Sequence, residues 1–579
     1  MKTTISARTF LVLNSILALS VLVPAMQAQP GVPATDFNGE TNLQVQTRFL
    51  TFIGSFIGET PAVSKAYYKA INPSGSKQKV TAWLVNAGFI QNASEWNPSG
   101  PQLIACDLGQ ANGCDMPTHD PVTGALKHGY GIINTDSHAI VLNAADLGFV
   151  RNQFIRCIDP SNRNNPTPCQ ASNPVIYTYL ENYPVAPFAL TSGFPANSGY
   201  PTQAEASAAI RSAINRPGGA TGTCPLSGIA LTGGNCKPGA SLQRIADVMF
   251  EWAPSETNPA SSSRFGQLYA YLVDSKDVTS ETLTFSKNAA AGANSRADFT
   301  LANPSFPPIN TKTGARIAFT GGDPILDNAD YFAPELDGRG FKQHPTVCFV
   351  CHGGKPTNLT TAGLYPRGGR VDGFRFLPLD VANLNFTSES GGEQPATNGS
   401  LAYTDKHNQE LQIREYNKVV LLTVDQSPQN DGTGAKRPPH LATVINGWYA
   451  PNFAGATQNS NFVPPGWTGF ETLYTHTVGP SCRSCHFNRE ISLDFGTVAN
   501  FDQESDILQL AMLPQCNANS PSGSADYMPL AHLTYIRYWQ TQASTQKIDF
   551  GHFTLDHEPD RLASHFGFGS VAGYCATNP

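Results

Sequence analysis

Four cysteines and two histidines carry the strongest chemical signal in the chain. They stand in Cys348-Phe-Val-Cys351-His352 and Cys482-Arg-Ser-Cys485-His486, two copies of C-x-x-C-H. The spacing has a chemical reason. Two thiols two residues apart can each add to one vinyl group of a porphyrin, and the adjacent histidine is then placed to ligate the iron, which is the pattern of covalent c-type haem attachment. With 12 Cys and 13 His in 579 residues, chance supplies about 0.006 such matches, and two of them on the order of 10⁻⁵. A thioredoxin-like redox pair or half of a zinc site would use the same cysteines. Neither explains why a histidine follows both times.

A haem iron held by His352 or His486 needs a sixth ligand, and that ligand sets the chemistry. Methionine raises the potential and suits electron transfer, whereas an open position admits peroxide or oxygen. The chain has only 6 Met. For the second motif, Met528 is preferred over Met512 and His532, because Tyr527-Met-Pro-Leu leads into the aromatic stretch Thr534-Tyr-Ile-Arg-Tyr-Trp539. For the first motif no Met lies between His352 and Met512. His407, His440, His344 and His138 stay open there as ligands, each against the plainer reading of a core or surface histidine. Gly353-Gly354 suits close passage of backbone past a porphyrin. Arg367, Arg370, Arg375 and Arg483 are candidates for propionate pairing, or else loop charges. Trp467 and Tyr474 would pack on the ring or simply in the core.

The other cysteines fall into Cys106/Cys114, Cys157/Cys169, Cys224/Cys236 and Cys516/Cys575. Three are local pairs across loop-forming sequence, and loop-closing disulfides are the simplest assignment, although eight cysteines allow 105 connectivities. Disulfides and c-type haem both call for an oxidising compartment. The N-terminus agrees: Lys2 and Arg8 precede an apolar run to Val23, then Pro24-Ala-Met-Gln-Ala28, which reads as a signal peptide cleaved after Ala25 or Ala28. That run is shorter than the roughly 20 residues a membrane span needs, and no later one approaches it. The expected product is periplasmic or extracellular, with no transmembrane segment after cleavage.

The elements that must hold these motifs are less regular. Gly 51 and Pro 44 argue for many turns and long loops. Val63–Ile71 and Thr81–Gly88 look helical, the second ending on a glycine. Val248–Trp252 and Gln267–Val273 have strand composition. The expected fold class is α+β multidomain: a signal peptide over 1–28, a mixed α/β, disulfide-stapled non-haem domain over 29–330, and two mainly α, loop-rich haem segments with short helices over 331–450 and 451–579. A net charge of −7 gives no excess of Lys or Arg to neutralise a phosphate backbone, so nucleic acid is excluded as a partner.

With both motifs and the Met528-Pro529 loop in hand, residues 340–540 resemble a secreted bacterial dihaem c-type cytochrome. The Met528 loop and its following helix are similar to the ligand loop and closing helix of class I cytochromes c. A more distant likeness is to the dihaem peroxidases, which pair an electron-transfer haem with a reactive one; Arg437-Pro-Pro-His-Leu441 is a faint echo, and the stretches that mark that group are otherwise not evident. The resemblance implies two covalently bound haem c groups on Cys348, Cys351, Cys482 and Cys485, with iron ligated by His352, His486 and Met528. The implied partner is a redox protein or a small-molecule electron donor or acceptor. The alternative is an oxidoreductase of the peroxidase or oxygenase kind, with an open or exchangeable site at the first haem.

Overall fold

The computed structural model describes, with short interruptions, residues 67–90, 136–158, 174–183, 203–210, 246–272, 348–389, 405–425, 440–487, 494–512, 531–538 and 548–577. Among these, a six-stranded antiparallel sheet is the frame on which the motifs rest. Its first five strands are β1 (Ser137–Asn143), β2 (Val150–Ile158), β3 (Val175–Tyr183), β4 (Ala246–Ala253) and β5 (Phe265–Leu272). Each pairs with its neighbour in sequence. After the first motif, β6 (Lys355–Thr357) and β7 (Arg370–Asp372) make a two-stranded ribbon, and β8 (Leu384–Asn385) joins the main sheet beside the end of β1. The sheet therefore runs β5-β4-β3-β2-β1-β8. Two aromatic-rich segments predicted as strands are β4 and β5.

Both faces of this sheet are buried, so the strands lack the alternation of a half-solvated sheet. On one face, α1 (Val80–Asn86) lays Trp83 edge-on to Tyr177, with ring centroids 5.8 Å apart, and the Trp83 indole donates to Glu251 Oε1 at 2.7 Å. Glu251 also takes Lys77 Nζ at 2.9 Å, so this buried carboxylate is paired, as burial demands. Beside it Glu181 accepts from Asn152 and from Tyr179, both at 2.8 Å. The predicted helix ends as expected: Gly88 follows α1 with φ +72°, a conformation that favours glycine.

The opposite face, with Thr178, Leu180, Val248 and Phe250, looks toward both motifs. The free edge of β1 is covered by α2 (Lys406–Asp425). Gln409 of α2 accepts from the Ile140 amide at 2.7 Å and donates to its carbonyl at 2.9 Å, a side chain replacing a neighbouring strand on an edge that would otherwise invite pairing. With 20 residues, α2 differs from the short helices expected after residue 331. Packing it along the sheet edge rewards the length. It is followed by α3 (His440–Trp448), α4 (Val498–Gln503), α5 (Ser505–Met512), the ribbon β9 (Ile548–Asp549) and β10 (Thr554–Leu555), α6 (Glu558–His565) and α7 (Val571–Thr577).

One apolar cluster links the described residues from Tyr67 to Val571, passing through Phe250, Phe374, Ile413, Ile445 and Trp467. Cys157 and Cys575 are among the described residues, but the cysteines assigned to them by sequence, Cys169 and Cys516, lie outside them, as do Cys106/Cys114, Cys224/Cys236 and the segment read as a signal peptide. No described helix is long and apolar enough to cross a membrane.

Candidate functional site

The first motif lies against the sheet. Its His352 ring sits 4.4 Å from the ring of Phe250 on β4 and 5.2 Å from that of Phe374, nearly parallel to the latter at 8°. Phe374 reaches this position because β5 carries glycine at 266: a Cβ there would lie 1.9 Å from Phe374 Cδ1. The next residue fixes the histidine twice. Arg375 N donates to the His352 carbonyl at 2.9 Å, and His352 Nδ1 donates to the Arg375 carbonyl at 2.8 Å. Since a carbonyl only accepts, the proton is on Nδ1 and the lone pair on Nε2, the arrangement that orients metal-ligating histidines. Burial lowers the His352 pKa to about 4, against the raising effect of the Arg375 hydrogen bond and with a further push from the Arg151 charge. The ring is neutral near pH 7.

The second motif repeats part of this design. A helical run, Glu471–Leu473, passes through a π-helical turn at Tyr474–Val478 into Gly479–Ser481 and the short helix Arg483–His486. His486 stacks on Phe495 with centroids 4.1 Å apart at 5°, and Phe495 N donates to the His486 carbonyl at 3.4 Å. Trp467 anchors Phe495 in turn, its indole donating to the Phe495 carbonyl at 2.9 Å. Each motif histidine is thus faced by a phenylalanine from an extended segment that returns to the motif's own backbone. Stacking covers the flat face of an imidazole; ligation uses a lone pair in the ring plane, so the two are compatible.

Arg483, inside the second motif, makes the link between them. Its Nε and Nη2 donate to Asp380 Oδ2 and Oδ1 at 2.9 and 2.8 Å, and its guanidinium lies over Trp448 and Tyr474 at 5.2 and 5.8 Å from the ring centroids. Both members of the pair are almost fully buried. Burial alone would lower the Arg483 pKa, but the Asp380 charge, then Tyr474, outweigh it and raise it overall. Asp380 also caps the 3-10 turn Val381–Asn383 through the Ala382 amide. The loop 374–380 therefore grips His352 at one end and the second motif at the other.

The motifs meet directly. Cys485 Sγ lies 3.0 Å from Cys351 Sγ, and Cys348, Cys351, Cys482 and Cys485 are all in the thiol form. Burial pushes the thiols of Cys348 and Cys482 well above the ordinary cysteine range. Beside this junction a mostly apolar cavity of about 150 Å³ is lined by Cys348, Cys351, His352 and Cys485, by Phe250 and Leu180 of the sheet, and by Tyr416 of α2. Its polar lining includes Arg151, Asn182 and Gln153, with the carboxylates of Asp146 and Asp380. Arg151 is tied to Asp146 and donates to Asn182 Oδ1 at 3.2 Å.

Tested against this geometry, the donor set suits c-type haem. The four motif cysteines are in no disulfide, and the neutral His352 carries its lone pair on Nε2. Among the described residues no three or more His, Cys, Asp or Glu converge as metal ligands would.

Several expectations for individual residues change. Arg483 is not a loop charge available to a propionate; it is consumed by Asp380. His138, a remote ligand option for the first haem, sits on the far face of the sheet, stacked on Phe154 at 4.2 Å and hydrogen-bonded to Asn152. His440 is not beside the first motif. Its Nδ1 donates to Asp494 at 2.7 Å, next to the Phe495 that stacks on His486. His407 is exposed on α2. Trp467 and Tyr474 are fully buried core, and Met512 is buried at the end of α5. Arg375 is buried beside His352. Met528, His344, His532, Gly353-Gly354 and Arg367 lie outside the described residues, and only the backbone of Arg370 is described. Thr534, Arg537 and Tyr538 are helical and buried, in the stretch read as helical.

Sequence reading missed Asp380, Phe374, Phe495 and Asp494. The one signal available was Arg483 itself: an arginine enclosed between the two cysteines of a motif calls for a carboxylate if it is buried. Comparison with protein-family models, with curated proteins and with solved structures finds no match.

Proposed function

We propose that this chain is an exported dihaem c-type cytochrome that transfers electrons between a redox partner and a second donor or acceptor. The observation that carries the reading is the convergence of two C-x-x-C-H motifs, distant in sequence, onto a shared thiol contact with Cys351 and Cys485 3.0 Å apart. Cys348 and Cys351 would hold one haem by thioether bonds and Cys482 and Cys485 the other, with His352 and His486 as iron ligands and Met528 as a further ligand to the iron that His486 would hold. When bound, each haem would supply a one-electron iron couple. The residues do the remaining work. Arg375 holds His352 in the ligating tautomer, Phe374 and Phe495 set the planes of the two imidazoles, and Asp380 with Arg483 fixes one motif against the other. The apolar packing around His486 keeps water away, a lever that tunes redox potential.

A second reading is supported by the cavity. About 150 Å³ beside His352 is a volume in which apolar protein cavities hold a benzene-sized guest, and no Met between His352 and Met512 can close the first iron. Arg151, Asn182 and Gln153 would then orient a small polar oxidant, making the first motif the reactive centre of a haem-dependent oxidoreductase.

Absorption and low-temperature EPR spectra of the oxidised protein separate the two. Electron transfer alone predicts two low-spin signals, one with the near-infrared band of methionine ligation, unchanged by azide or peroxide. A high-spin signal that shifts on adding azide moves the assignment to the second reading.

A further inference from the structure

The contact between the two motifs has a chemical use of its own before any cofactor is attached. Cys351 Sγ and Cys485 Sγ are 3.0 Å apart, about 1 Å beyond a disulfide bond of roughly 2.05 Å. Both are in the thiol form, both are only half-buried, and both line the cavity. Of their motif partners, Cys482 is buried and does not line the cavity while Cys348 does, so what sets Cys351 and Cys485 apart is that their sulfurs face each other at contact distance. The Asp380–Arg483 pair holds this approach in place, because it ties the loop bonded to His352 to the residue following Cys482.

We propose that Cys351 and Cys485 form a disulfide that joins the two motifs in the haem-free chain and closes both to haem attachment. The oxidant is a small-molecule disulfide of the glutathione type. One cysteine thiolate attacks it, forming a mixed disulfide and releasing one thiol. The other cysteine thiolate attacks the cysteine sulfur of that mixed disulfide and releases the second thiol. The two cysteines lose two electrons and two protons, and the small disulfide is reduced to two thiols. The same sulfurs cannot be thioethers while cross-linked, so the bond makes reduction a precondition for loading either motif. This consequence rests on the haem reading; the bond itself rests on the sulfur contact alone.

The test uses the full chain produced without haem attachment, incubated with oxidised glutathione, then digested without reduction and analysed by mass spectrometry. The expected result is a peptide pair joined through Cys351 and Cys485, at least about tenfold more abundant under native conditions than in denaturant, where distant cysteines lose their preference. A Cys348→Ala/Cys482→Ala double variant, in which neither local bridge can form, retains the cross-link. Dominant Cys348–Cys351 and Cys482–Cys485 bridges under native conditions, or equal yields in native and denatured chain, would overturn the proposal. Haem-loaded chain yields no cross-linked pair, and finding one there would refute the exclusion. A cross-link in a chain that never takes up haem would support the bond while sinking the cytochrome reading, which keeps the two failures distinct.

Discussion

The two C-x-x-C-H motifs share a plan and differ in what surrounds it. Each histidine is stacked by a phenylalanine whose segment returns to the motif backbone, Phe374 for His352 and Phe495 for His486. The first motif lies on a sheet face beside a cavity, with its histidine fixed by a carbonyl. The second is enclosed by Trp467, Tyr474 and α6, with Arg483 neutralised by Asp380 and Ser481 donating to Glu558 at 2.6 Å. The contrast teaches that one short motif can be given an accessible or a sealed setting by residues far away in sequence.

The largest effect is expected where the two settings are joined. Asp380→Ala leaves the Arg483 charge buried without its carboxylate, and should destabilise the fold by about 3–5 kcal/mol, read as a lower denaturant midpoint at unchanged slope. If the loss is below about 1 kcal/mol, the loop 374–380 is not the clasp between the motifs.

Next is the pH response of the second setting. Burial raises the Glu558 pKa to about 7, with Arg537 and then Ser481 opposing. A carboxyl that is more basic in the folded than in the unfolded chain contributes stability below its ordinary pKa, and that contribution is lost as pH rises from about 4.5 through about 7. Glu558→Gln should remove this dependence, so the stability difference between variant and wild type grows by up to about 3 kcal/mol across that window. Parallel pH profiles for the two proteins would show that Glu558 ionises freely in the fold.

Smaller effects come from two glycines that give room to one motif each. A Cβ at Gly266 would meet Phe374 Cδ1, and one at Gly496 would meet His440 Nδ1, both at 1.9 Å. Each Gly→Ala change should cost about 1–3 kcal/mol through overpacking. Gly266→Ala should perturb the His352 resonances alone, and Gly496→Ala those of His486 and His440. If both variants disturb both motifs equally, the settings are not independent.

How much of this was legible follows from what is local. The motifs are read directly because both cysteines and the histidine of each are contiguous in sequence. Strands β4 and β5 announced themselves by aromatic and β-branched runs. The composition of β3, Val-Ile-Tyr-Thr-Tyr, carries the same signal and was overlooked. Helix α2 was hidden because Gln409 and Asn417 turn inward, one to cap a strand edge and the other to bond the Leu379 backbone, which blurs its apolar stripe. Asp380, Phe374 and Phe495 could not be found, since a lone Asp or Phe in a loop has no pattern until the chain folds back on its motif. His440 was one of four open ligand options for the first motif, and sequence order does not report that Gly496 clears its place beside Asp494, near the second.

The central claim is that each motif anchors one haem. Haem should be counted by pyridine haemochrome, before and after acid-acetone extraction, in the wild-type chain and in the Cys348→Ala/Cys351→Ala and Cys482→Ala/Cys485→Ala variants, each produced with haem-attachment machinery. The account predicts two unextractable haems in the wild type and one in each variant. No haem, or haem that extracts fully from the wild-type chain, would contradict it.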